Sequence, residues 1–161
     1  MISLRHLTVF IACTSGAMGA FAASDTANLN VKVTITATCD IHTVSPTDVD
    51  FGSIQSTAIN TDAVGTLSVN CTPGTEYDIG LDDGETGGGG GARRMVKGGD
   101  YVEYELYRDA ARQERWGNDA LTSAAGTGSG SAQTLSVYGR IASANSPAGD
   151  YSDVVIATVT Y

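Results

Sequence analysis

Along residues 28–39, NLNVKVTITATC, apolar side chains return at every second position: Leu29, Val31, Val33, Ile35, Ala37 and Cys39. Period two places them on one face of a β-strand. The same alternation recurs downstream. Leu67, Val69 and Cys71 share a face of GTLSVNC, as do Tyr77, Ile79 and Leu81 of EYDIGL. In YVEYELY, Val102, Tyr104 and Leu106 oppose Glu103, Glu105 and Tyr107. TLSVYGRI sets Leu135, Val137 and Ile141 on one side, and DVVIATVTY does so with Val155, Ala157, Val159 and Tyr161. No stretch carries a helical period with caps. Short alternating strands broken by Gly, Asp, Asn and Pro predict an antiparallel β-sandwich.

The segment preceding the first strand reads differently. Arg5 and His6 stand before an apolar run over residues 7–13, and small residues lead to Ala20-Phe21-Ala22. A basic start, a short apolar middle and an A-x-A site make residues 1–22 a secretory signal peptide, cleaved after Ala22. The run is too short to span a bilayer. A rival reading is a lipoprotein cut before Cys13, suggested by Ile11-Ala12-Cys13, although Phe10 stands where Leu is usual. Cleavage after Ala22 leaves 139 of the 161 residues, room for one domain and one core. It removes Arg5, so the net charge of −9 less +1 becomes −10. A chain this acidic, without a basic stripe, repels nucleic acid and anionic membrane surfaces. With no second long apolar segment, the expected product is exported and soluble, or held in an assembly.

Cys13 leaves with the signal, so Cys39 and Cys71 remain, and two cysteines in an exported chain are expected to pair. The alternatives are two free buried thiols or a metal site, for which only His42 remains as a histidine. Two glycine-rich stretches, residues 84–94 and 122–133, read as mobile surface loops. Neither fits a phosphate-binding loop, since no Gly-Lys-Ser/Thr follows. The acidic cluster Asp82, Asp83 and Glu85 lacks the EF-hand spacing for Ca²⁺ and reads as a solvated turn. Catalysis finds little support: His42 has no G-x-S-x-G partner, and Glu103 with Glu105 on one strand face marks a solvent-facing side before a glycosidase pair. The expectation is no enzyme and no cofactor. Trp116-Gly117 reads as a strand or turn anchor, the alternative being a sugar-stacking platform. Tyr101, Tyr104, Tyr107 and Tyr138 read as core or rim packing. Asp153 is expected to serve the turn before the last strand.

The strands counted after Cys39 fall one short of the about seven of an immunoglobulin-type sandwich. The strand at residues 28–37 has an apolar face and no evident place in its own domain. An unfilled edge is an aggregation hazard unless something occupies it. One economical solution is that the early strand of one subunit completes the sheet of the next; the other is an ordinary first strand inside its own sandwich.

YVEYELYRDAARQERWGN, VYGRI and the ending AGDYSDVVIATVTY resemble the spore coat protein U domain family, which includes the archaic chaperone–usher pilins of the Csu type. CDI…VDFGSI, from Cys39 to Ile54, is similar to that family's opening, and the glycine run at Gly87–Gly91 departs from its pattern. The resemblance implies an incomplete immunoglobulin-like fold lacking its final strand. It also implies a periplasmic chaperone that lends a strand and an outer-membrane usher that exchanges it for the next subunit's N-terminal extension. Residues 23–37 would be that extension and 38–161 the pilin domain, with Thr36 to Thr38 as the junction. Leu29, Val31, Val33 and Ile35 would be the donor residues, Lys32 and Thr34 would face solvent, and Val155, Ala157 and Val159 would line part of the acceptor groove. The implied function is a structural pilus subunit supporting adhesion and biofilm formation, its partners being like subunits, chaperone and usher. A non-polymerising spore-coat or matrix protein and a carbohydrate-binding sandwich remain as alternatives. One sandwich leaves no room for a receptor domain, which favours a shaft or minor subunit over a tip adhesin.

Overall fold

The computed structural model describes residues 22–42 and 44–161, so the signal-peptide and lipoprotein readings, Ala22 aside, lie outside the described residues. The chain divides into two compact units, residues 1–34 and 35–161. In the described part of the first unit no residue joins a strand or helix, and Leu29, Val31 and Val33 are 87, 87 and 84 % exposed.

The second unit is all-β among the described residues. Its strands are β1 (Cys39–Asp40), β2 (Ile59–Cys71), β3 (Glu76–Leu81), β4 (Arg93–Lys97), β5 (Asp100–Tyr107), β6 (Ala124–Thr127), β7 (Gln133–Ser143) and β8 (Ala157–Thr160). They form a five-stranded sheet, β1-β2-β7-β5-β4, and a three-stranded sheet, β6-β3-β8, antiparallel throughout. The alternation seen in the sequence supplies the core. Leu67, Val69 and Cys71 of β2, Tyr77, Ile79 and Leu81 of β3, Val102, Tyr104 and Leu106 of β5, and Val137 and Ile141 of β7 are all buried. These are the inward positions of a half-buried sheet face.

Both glycine-rich stretches are more structured than mobile loops. Residues 122–133 contain β6, whose Ala124 and Ala125 pair with Ile79 and Asp78. A Cβ at Gly126 would come within 2.4 Å of the Tyr77 ring, so the small side chains here answer to close packing. In residues 84–94, Arg93 and Arg94 already belong to β4. Gly89, Gly90 and Gly91 take φ of 78°, 64° and 88°, and the run folds back through Gly88 N donating to Ala92 O at 2.8 Å. Three successive left-handed residues require glycine.

The last strand changes sheets. Val96 N, on the edge strand β4, donates to Ser152 O at 3.0 Å. Two residues later Glu85 N donates to Val154 O, and Asp82 N to Ile156 O, before the ladder of β8 with β3 begins at Ala157↔Leu81.

Cys39 and Cys71 are joined by a disulfide that ties β1 to β2 where the two strands pair. The closed loop has a sequence separation of 32. Replacing both cysteines by alanine is expected to cost about 3–4 kcal/mol on the chain-entropy account, read as a lower urea midpoint with a raised m-value, because the unfolded chain without the link is more expanded.

Candidate functional site

A cleft of 1170 Å³ opens on the core. It exceeds the roughly 300–1,000 Å³ of a small-molecule site. Its floor is the inner face of the five-stranded sheet: Leu67, Val102, Tyr104, Leu106, Val137 and Ile141. These residues are buried, 2–9 % exposed, so the cleft meets the core as a gap between packed side chains and not as a bare apolar face.

Two stretches of chain border the floor. One is residues 46–56. Thr47 pairs with Thr66 of β2, its N donating to Thr66 O at 3.0 Å, and Val49 and Phe51 then turn inward, half-buried, while Asp48 and Asp50 stay exposed. This stretch passes over the sheet where it has no side chains. A Cβ at Gly65 would meet Thr47 O at 2.6 Å, and one at Gly139 would meet the Val49 side chain at 2.5 Å. The other border is residues 147–157. Val155 and Ala157 point toward the cleft and line it; Val159 lies further along the same half-buried face, packed against the core but outside the cleft. Val154 and Ile156, which alternate with them, are exposed, Val154 at the rim of the cleft. β8 is the edge of its sheet, bonded to β3 alone among the described strands.

Polar contacts fix this second border. The Tyr104 hydroxyl donates to Asp153 Oδ2 at 2.7 Å, and burial, followed by that carboxylate, pushes the phenol far above its usual range. Asp153 Oδ1 accepts from Thr86 N at 3.2 Å, from Thr86 Oγ1 at 3.0 Å and from Val154 N at 2.9 Å. Asp82 Oδ1 accepts from Ile156 N at 2.9 Å and from Gly84 N at 3.0 Å. Asp153 thus joins the loop at Thr86 to the start of the last strand, and Asp82 holds that strand in line.

Arg93 is buried beneath this border, a position sequence reasoning missed by assigning it to a loop. Its Nε donates to Asp82 O at 2.8 Å, its Nη2 to Leu81 O at 2.9 Å and Trp116 O at 2.8 Å, and its Nη1 to Glu105. Glu105 also receives Arg115 Nε at 2.8 Å. The carboxylate at 105 is therefore the partner of a buried cation, where its position beside Glu103 suggested a solvent-facing side.

The remaining candidates separate cleanly. Trp116 is buried and donates its indole N–H to Ile79 O at 2.8 Å, so it anchors the core and presents no ring for sugar stacking. Asp83 is held by Arg115 at 2.8 Å, and no metal-sized cluster of His, Cys, Asp and Glu occurs among the described residues. The tyrosines divide: Tyr104 is core, Tyr107 and Tyr138 pair across β5 and β7, and Tyr101 lies under the Arg94 guanidinium at 4.7 Å. His42 is exposed beside Asp40. Of the proposed donor residues, Leu29, Val31 and Val33 are exposed as given above, and Ile35, in the second unit, is 79 % exposed. Domain pairing begins at Thr38, whose carbonyl accepts from Thr72 N at 2.9 Å.

The family model described as the Spore Coat Protein U domain matches residues 25–158. Protein U of Myxococcus xanthus is 34 % identical over 155 residues, covering 87 % of each chain. In structure, the chain is similar to one from the CsuC–CsuE chaperone–tip adhesion subunit pre-assembly complex of the archaic chaperone–usher Csu pili of Acinetobacter baumannii. The TM-score is 0.60 at 21 % identity. That likeness concerns the fold; it covers 80 % of this chain and 40 % of the other. With a family match across most of its length and a relative this similar, the chain belongs to the Spore Coat Protein U domain family.

Proposed function

We propose that the chain is a structural subunit of a surface fibre assembled by the chaperone–usher route through donor-strand exchange. Residues 23–37 serve as the donated extension, and the cleft beside Val155 and Ala157 is the acceptor. The observation that carries this reading is the cleft, floored by buried core residues and bordered by an edge strand, in a chain that also carries an exposed apolar alternation at residues 29–35. An edge strand and an apolar groove together are what β-strand addition uses: backbone hydrogen bonds give affinity and alternate side chains fill the floor. A periplasmic chaperone first lends a strand, and an outer-membrane usher exchanges it for the extension of the next subunit. The fibre is displayed on the cell surface, where it supports adhesion and biofilm formation. No catalytic step is needed.

Membership of the spore coat family and the similarity to Protein U favour a second reading, a coat or matrix protein that does not polymerise. Surface material from cells exporting the chain with a chaperone and usher, run unboiled on a denaturing gel, decides between them. A ladder of multimers that collapses on boiling supports the fibre. Monomer alone in the surface fraction supports the coat protein.

A further inference from the structure

The apolar face of the donated segment leaves its own register undetermined. Leu29, Val31, Val33, Ile35 and Ala37 are all aliphatic at a spacing of two. A slip of one residue turns Lys32 and Thr34 inward and is excluded by polarity. A slip of two residues still presents aliphatic side chains to the floor at nearly every position. Parity is secured; position along the cleft is not.

The outward face carries the missing information. Lys32 is the one charged residue between Asn28 and Thr38, and the one Lys or Arg between His6 and Arg93. On the acceptor, the outward positions of the last strand are uncharged: Val154, Ile156, Thr158 and Thr160. Those of the other border are Asp48 and Asp50, exposed on either side of inward-facing Val49. Asp50 accepts from Gly52 N at 2.8 Å, and neither carboxylate makes an ion pair among the described residues.

We infer that Lys32 of one copy sets the register of the strand it donates by lying against Asp48 and Asp50 of the next copy; this rests on the donor-strand reading above. Alternate residues of a strand are about 6.6 Å apart, so a lysine placed between the two aspartates is within reach of both. A two-residue slip carries its ammonium that same distance away, toward one end of the pair and out of reach of the far carboxylate. The occupant is a second copy of this chain, and charge complementarity along the rim specifies how far it advances.

The test follows the dissociation of unboiled multimers of the full chain at a fixed temperature. Lys32→Glu is expected to speed dissociation about three- to tenfold, the size of a lost rim attraction replaced by repulsion. Asp48→Lys, which leaves the Asp50 turn intact, does the same. The combined variant Lys32→Glu with Asp48→Lys returns toward the wild-type rate, and the spread between variants narrows at high salt. Wild-type dissociation in all three variants, or a combined variant no slower than the sum of the singles, overturns the register role. A wild-type ladder that survives Val31→Asp/Val33→Asp overturns instead the donor-strand reading on which it rests.

Discussion

Val31→Asp/Val33→Asp is expected to abolish the resistant multimers that donor-strand exchange would form, while leaving the monomer as stable as before. The asymmetry follows from where the two side chains stand. In the free chain they are 87 and 84 % exposed, so a carboxylate there is solvated and costs the fold nothing. In an acceptor they would face a floor of Leu67, Val137 and Ile141. Each valine then forfeits about 1.5–3 kcal/mol of burial, and each aspartate must be desolvated or protonated against apolar neighbours. Four aliphatic donor residues would contribute about 6–12 kcal/mol gross before ordering costs, so the pair would remove at least half. A loss of about 6 kcal/mol is more than four decades in an equilibrium constant. Unboiled electrophoresis reads the multimers, and urea unfolding of the monomer supplies the control. Monomer destabilised in step with any lost assembly would place the segment in its own core and sink the donor role.

The floor of the cleft was legible because each strand that builds it keeps a clean alternation, from Leu67 through Val102, Tyr104 and Leu106 to Val137 and Ile141. Period two reports which face is buried, and here it reported correctly. The last strand was legible for the same reason, with Val155 and Ala157 inward and Val154 and Ile156 outward. What alternation does not report is what covers the face, so the border at residues 46–56 went unread. Val49 and Phe51 make a pattern too short to stand out, and the glycines that admit them, Gly65 and Gly139, sit on distant strands. Composition misled at β4 and β6. Gly, Ala and Ser read as flexible where no neighbour is visible, yet Gly126 is small because the Tyr77 ring lies against it. Arg93 is the extreme case: an arginine beside a glycine run reads as surface, and only the fold shows the carbonyls it satisfies.

Those carbonyls set the second large effect. Arg93→Met is expected to destabilise the domain by about 3–5 kcal/mol, although methionine fills much of the same volume. The loss comes from Leu81 O, Asp82 O and Trp116 O, each deprived of a charged donor in a buried place at roughly 1–3 kcal/mol apiece, with partial relief by water. Glu105 is not stranded by the change, because Arg115 and Leu106 N still hold it at 2.8 and 2.9 Å. The reciprocal variant, Glu105→Gln, should therefore cost less: Arg93 keeps its three carbonyls and an amide oxygen, and the bond lost is that of Arg115, which Asp83 and the Gly91 carbonyl still hold. That order would be reversed if the ion pair, and not the carbonyl set, were the reason for burying an arginine here. The consequence reaches the cleft, because Leu81 and Asp82 are where the last strand is attached. Ala157 pairs with Leu81, and Asp82 bonds the backbone of Ile156 through both its N–H and its carboxylate. Hydrogen exchange should show the Ile156 amide losing protection in Arg93→Met well beyond the change in global stability. If its protection falls only in step with global stability, Arg93 supports the core in general and does not hold the border of the cleft.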